Sequence, residues 1–167
     1  MIQQALEGFC MLNLREDRQP RRVEQAMALW LEHKVLTETQ ARKRAEELLF
    51  VATEEKSDRL VGICTTYVGT PPSLKVPLWH FRTFVAPERR RSNIAFHLLH
   101  LAIEFHETQF IAGADTGGRG LYMEIESPII QRHRNEAIWP SSKMVFVGYN
   151  ARGDHCRVRY FPGARIS

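Results

Sequence analysis

The chain has 167 residues, 44% hydrophobic and 25% charged, which is enough apolar material for one buried core and too much for a disordered chain. Its net charge is +4, mostly from arginine, and no apolar run approaches the roughly 20 residues that a membrane-spanning helix needs. Three scattered cysteines, Cys10, Cys64 and Cys156, form no zinc pattern and fit reduced thiols, so a cytoplasmic location is expected.

Residues 1–14 lack a basic leader and carry Glu7 before a short apolar patch, so they do not read as a signal peptide. Residues 8–15 alternate loosely and predict a first strand. Pro20 opens a segment with Val23, Met27, Trp30 and Leu31 at helical spacing. Thr37 and Gln40 have capping-box spacing, which predicts a second helix running to about Leu48. Residues 48–53 and 60–68 predict two antiparallel strands around a polar turn. The next strand is 78–85, with Leu78, His80, Arg82 and Phe84 on one face and Trp79, Phe81, Thr83 and Val85 on the other.

A helix over 93–108 follows, burying Ile94, Leu98, Leu101, Ala102 and Phe105. Glycines at 113, 117, 118 and 120 mark a mobile loop before a strand over 121–126. Ser127-Pro128 predicts a helix start, with an end by Trp139, before Pro140. Residues 144–149 and 156–161 predict a closing hairpin. No repeat or linker divides this order, so one domain over 1–167 is expected. It is an α/β (α+β) domain, and the strand–helix–strand unit at 78–126 requires a parallel pair within a mixed sheet.

The most informative segment is Val85-Ala86-Pro87-Glu88-Arg89-Arg90-Arg91-Ser92-Asn93-Ile94-Ala95. A strand stops at a proline, and a basic turn leads into a helix N-terminus. The first N–H groups of a helix lack intrahelical partners and its dipole is positive there, so this is a place for an anion. Ala95 lets a ligand approach closely, and Asn93 is one of the few non-glycine residues that adopt a left-handed backbone.

This segment resembles the turn with which GNAT-superfamily N-acetyltransferases bind the pyrophosphate of acyl-CoA, Gln/Arg-x-x-Gly-x-Gly/Ala after Val-x-Pro. Val85, Pro87, Arg90, Ile94 and Ala95 fit, and Asn93 stands where the family usually has its first glycine. The resemblance implies a mostly antiparallel sheet with a splayed parallel central pair and flanking helices. It implies transfer of an acetyl group from acetyl-CoA to a primary amine, on a small molecule or a peptide. Phe84, Val85, Arg90, Arg91, Ser92, Asn93, Ile94 and Ala95 would then contact the cofactor. A homodimer is common in the family. The alternatives are an acyl-CoA-binding fold without chemistry and an arginine-rich nucleic-acid-binding domain, though no aromatic-and-basic strand face supports the latter.

An attacking amine must lose a proton, and Glu124, Glu126 and His80 are the candidate acceptors, with mid-strand Glu124 foremost. A purely structural Arg82–Glu124 ion pair is the competing role. The family's thiolate-protonating tyrosine is replaced by Trp139, which leaves Ser141, Ser142, Tyr149 or water as general acid. His97, His100, Glu104 and His106 read as an exposed polar helix face, not a metal site. Arg152, Arg157, Arg159 and Arg165 could meet an acidic acceptor, the adenosine 3′-phosphate or only solvent.

Overall fold

Pro20 stands at the first position of helix α1 (Pro20–Glu32), where its missing N–H leaves no bond unmade. Thr37 caps α2 (Glu38–Ala45) through a reciprocal box: Gln40 N–H donates to Thr37 Oγ1 (3.3 Å) and Thr37 N–H to Gln40 Oε1 (2.9 Å). The computed structural model describes residues 6–167, so residues 1–5 of the N-terminal stretch lie outside the described part. The strands are β1 (Phe9–Asn13), β2 (Leu48–Glu54), β3 (Leu60–Gly69), β4 (Leu78–Val85), β5 (Gly120–Ile125), β6 (Val145–Tyr149) and β7 (His155–Tyr160). They form one sheet of order β1-β2-β3-β4-β5-β7-β6. The β4–β5 pair is parallel, while β1–β2, β2–β3, β5–β7 and β6–β7 are antiparallel. Helix α3 (Ile94–Ile111) links β4 to β5, and α4 (Pro128–His133) follows β5. This is the mixed sheet with one parallel pair that the element order predicted.

The chain divides into two compact units, residues up to Thr66 with Thr83–Ala102, and Tyr67–Arg82 with Ile103–Ser167. In the first, α1 packs on α2 and on β2. Residues 48–53 of β2 are all buried, so both faces of the strand are covered. That explains why α2 stops at Ala45 and not near Leu48: the Glu47 carbonyl already accepts the Thr66 N–H of β3 (2.9 Å). A Cβ on Gly62 would lie 2.7 Å from Ile94 Cγ2 and 3.2 Å from Ala52 Cβ, so the first turn of α3 rests directly on β3.

In the second unit, Val76, Leu78, Tyr122, Cys156 and Val158 form an apolar cluster. The glycine-rich loop is packed more closely than a mobile loop requires. A Cβ on Gly118 would come within 2.4 Å of the Trp79 ring, and one on Gly120 within 2.4 Å of the Arg159 carbonyl. Trp79 stacks on His106 at 4.0 Å, and His106 is only 1% exposed, which corrects its place on an exposed helix face. A second correction concerns α4, which ends at His133 and not by Trp139. The Arg134 carbonyl accepts from Trp139 Nε1 (2.8 Å) and Arg157 Nη2 (3.3 Å), and Trp139 N–H donates to the Met144 carbonyl (2.9 Å). Side chains and a bridge between Ile138 and Val145 therefore hold this segment in place of a helix.

Among the described residues no helix is long and apolar enough to cross a membrane. Gly62→Val is expected to lower stability by about 1–3 kcal/mol through overpacking under Ile94. Urea unfolding measures this, and an unchanged midpoint would refute the close approach.

Candidate functional site

In the first unit the segment from Val85 to Ala95 is built by three successive stops. The Ala86 N–H makes the last sheet-type bond, to the Val61 carbonyl (2.8 Å). Pro87–Arg89 then forms one 3-10 turn, and Ser92 Oγ donates back to the Arg89 carbonyl. Asn93 takes φ 64°, in the left-handed region where glycine and asparagine are favoured. The first bond of α3 runs from His97 N–H to the Asn93 carbonyl (3.0 Å), so the N–H groups of Ile94, Ala95 and Phe96 have no intrahelical acceptor.

The arginines here are not equivalent. Arg89 Nε donates to Glu54 Oε1 (3.0 Å), and Arg59 is ion-paired with Glu88. Arg90 donates from Nε to the Val85 carbonyl (3.2 Å), and its guanidinium carbon lies 5.6 Å from the Phe84 ring centre. Both Arg90 and Arg91 are exposed, and among the described residues neither pairs with a carboxylate. Val85 is buried, while Phe84 is half-buried against His33, their rings 5.7 Å apart.

The second unit holds the titratable cluster. The parallel ladder registers Trp79 with Leu121 and His80 with Tyr122, and both strands continue beyond it, to Val85 and to Ile125. The His80 ring stacks on Tyr67 (4.8 Å) and tilts against Tyr122 (4.7 Å), with the Tyr67 hydroxyl 3.3 Å from Nδ1. Burial holds the His80 imidazole below its ordinary value of 6.5, so the neutral form dominates at pH 7. Arg82 stands over the Tyr67 ring at 4.6 Å.

Glu124 is held elsewhere. Its Oε1 accepts from Tyr122 (3.2 Å), and its Oε2 from Asn150 Nδ2 (2.6 Å) and Arg152 Nη2 (3.0 Å). The expected Arg82–Glu124 pair is replaced by the Arg152–Glu124 pair. Arg152 also reaches Asp154 (2.9 Å) and Glu126 (3.5 Å), and it keeps the Asp154 carboxyl below the usual range. Burial pushes the Tyr122 phenol upward, with Cys156 and Glu124 adding to it, so Tyr122 stays protonated as a donor. Glu124 is thus committed to a guanidinium, an amide and a phenol, whereas the His80 imidazole has no carboxylate or guanidinium bonded to it in this cluster.

No family sequence model matches the chain, and no curated protein matches it in sequence. Solved structures do. A ribosomal-protein-S5-alanine acetyltransferase from Vibrio fischeri superposes with TM-score 0.65 at 10% identity, covering 99% of this chain and 100% of its own. A GNAT-family acetyltransferase from Streptococcus pneumoniae gives 0.60 at 12%, covering 92% and 99%. An aminoglycoside 6′-N-acetyltransferase complexed with coenzyme A gives 0.54 at 15%, covering 90% and 96%. The chain has the GNAT fold.

On this GNAT fold the remaining expected residues fall into two groups. Arg90, Arg91, Ser92, Asn93, Ile94 and Ala95 are brought together in one turn, next to Phe84 and Val85 of the preceding strand. His80 and Glu124 share the second unit, yet Glu124 contacts the β6–β7 turn and His80 contacts β3. Trp139 is buried with its indole N–H committed, and among the described residues no group of three or more His, Cys, Asp or Glu could hold a metal. Sequence reasoning missed Glu54, Tyr67, Asn150 and Asp154, whose roles arise from contacts distant in the chain. Arg157, expected to meet an acidic acceptor, the adenosine 3′-phosphate or solvent, is instead 1% exposed, donates to the carbonyls of Arg134, Ala137 and Met144, and stacks over Trp139 at 4.5 Å. Arg157→Met removes one donor from each of these carbonyls together with the cation over Trp139, and is expected to cost about 1–3 kcal/mol. Chemical denaturation reads the loss, and hydrogen exchange should quicken at 134–144 first; uniform quickening would argue against a local anchor.

Proposed function

We propose that the chain is an N-acetyltransferase, one domain over 1–167, that moves an acetyl group from acetyl-CoA to a primary amine by direct attack on the thioester. The observation that carries this reading is the Arg90–Ala95 turn. Two arginines that have no carboxylate partner among the described residues and the Ile94 and Ala95 N–H groups of the first helical turn meet at a left-handed Asn93, just after a strand stopped by Pro87. That set fits a pyrophosphate in both charge and hydrogen-bonding capacity. Arg90, Arg91 and the N–H groups of Ile94 and Ala95 would hold the phosphates, Ser92 and Asn93 would shape the turn, and Phe84 and Val85 would offer backbone groups to the pantetheine.

In this reading His80 takes the proton from the acceptor ammonium, since burial keeps its imidazole neutral. The freed amine forms the C–N bond, the tetrahedral intermediate loses its second amine proton to solvent, the C–S bond breaks, and the thiolate leaves with a proton supplied by solvent. Glu124 lends negative charge near the acceptor. The acceptor is a small molecule or a peptide amine, and the free thiols of Cys10, Cys64 and Cys156 fit a reducing, cytoplasmic setting. A second reading, acyl-CoA binding without transfer, is favoured by one observation: Trp139 stands where the family's tyrosine would be, and it has no proton to give a thiolate.

Calorimetric titration with acetyl-CoA tests the cofactor. Wild-type protein is expected to bind, and Arg90→Glu to weaken binding by about tenfold or more with an unchanged apo melting temperature. No heat and no thermal stabilisation with wild type would overturn the reading. Thiol release across an amine panel separates transfer from binding alone. Because the His80 pKa is lowered, the rate should hold as pH falls to 6.5 and drop only in more acidic solution, where the imidazole becomes charged. His80→Gln should abolish that acid limb and most of the turnover, whereas Glu124→Gln should keep the limb. The reverse pattern would assign the proton to Glu124.

A further inference from the structure

Four arginines stand around the basic turn, and two carboxylates divide them. Glu54 is the last residue of β2, and its side chain is 16% exposed. Its Oε1 accepts from Arg89 Nε at 3.0 Å and lies 3.8 Å from Arg59 Nε, while Oε2 accepts from Ser57 Oγ at 3.0 Å. Arg59 is ion-paired with Glu88, the neighbour of Arg89. Both side chains that follow Pro87 in the 3-10 turn are therefore tied down, Arg89 directly to Glu54 and Glu88 through Arg59. The Arg89 hydrogen bond holds the Glu54 carboxyl below its ordinary range, so the tie persists through neutral pH. Arg90 and Arg91, one step further on, carry no such tie.

We infer that Glu54 is a positioning residue for the anion-binding turn: it withdraws Arg89 from the anion and fixes the 3-10 turn so that Arg90, Arg91 and the first N–H groups of α3 are presented to it. This rests on the reading of that turn as the site for the pyrophosphate of acyl-CoA. Electrostatics alone predicts the opposite sign for a mutant. Removing the Glu54 charge and releasing Arg89 makes the region more positive, which would tighten an anionic ligand. Positioning predicts that the same change weakens it, because the turn loses its fixed conformation.

The test is calorimetric titration of acetyl-CoA into the wild-type chain, Glu54→Gln, Arg89→Gln and the double variant. Glu54→Gln is expected to raise Kd about fivefold, against the charge effect. The double variant should bind no worse than the weaker single one, since the two side chains act as one unit. Glu38→Gln removes an exposed carboxylate that pairs with Arg42 on α2 in the same compact unit, outside the hairpin that carries Glu54, and should leave Kd unchanged. If Glu54→Gln fails to fold, Glu54→Asp keeps the charge but shortens the reach and should weaken binding in the same direction. Wild type that does not bind acetyl-CoA overturns the cofactor reading itself. Wild type that binds, with Glu54→Gln equal or tighter, overturns this inference alone, as would an equal loss in Glu38→Gln.

Discussion

A parallel pair, β4 with β5, in a sheet whose β1–β2, β2–β3, β5–β7 and β6–β7 pairs are antiparallel is the constraint on which the rest of the structure depends. β4 and β5 cannot be joined by a hairpin, because they run the same way. The chain must cross over, and α3 is that crossover. The end of β4 is therefore obliged to become the start of a helix within a few residues. That obligation creates the proline stop, the 3-10 turn and the left-handed Asn93. It also leaves a helix N-terminus, with the N–H groups of its first turn outside the helical ladder, at the end of the strand. The short ladder, registered at Trp79–Leu121 and His80–Tyr122, places a histidine and a tyrosine side by side where the paired portion ends.

Charge is then sorted by ion pairing more than by composition. The net excess of arginine says little about any single guanidinium. Arg89 and Arg59 are committed to Glu54 and Glu88, and Arg152 to a trio of carboxylates on β5 and the β6–β7 turn. Arg157 is buried against carbonyls and aromatic rings, and burial lowers its pKa. Around the basic turn, what remains for a ligand is the residue of this sorting, Arg90 and Arg91. The same logic separates the two proton-acceptor candidates, because Glu124 is hydrogen-bonded to Asn150 and Arg152 while burial keeps His80 neutral.

Much of this was legible in the sequence where the signal is local. Pro20, the Thr37–Gln40 box and Ser127-Pro128 set helix starts by chemistry confined to a few residues. The order of elements implied the parallel pair, and Asn93 marked the one position where the turn departs from glycine. The parts that were not legible depend on partners far away in the chain. Trp139 reads as the end of a helix until Arg157 is known to capture the carbonyls before it. His106 reads as a surface histidine until Gly118 leaves room for Trp79 to stack on it. Glu54 looks like any turn-flanking acid, and only the fold brings Arg89 to it.

The buried Arg157 has a consequence for how this molecule can change over time. It grips the 134–144 segment by backbone carbonyls, which every amino acid supplies, and by the rings of Trp139 and Phe146. Asn135, Ala137 and Ile138 in that segment are exposed. Their identities are thus decoupled from the path of the chain. Substitutions can accumulate there, altering what the surface meets, while the loop keeps its course. Variation in this stretch among descendants would be drift or selection on recognition, with folding largely indifferent to it.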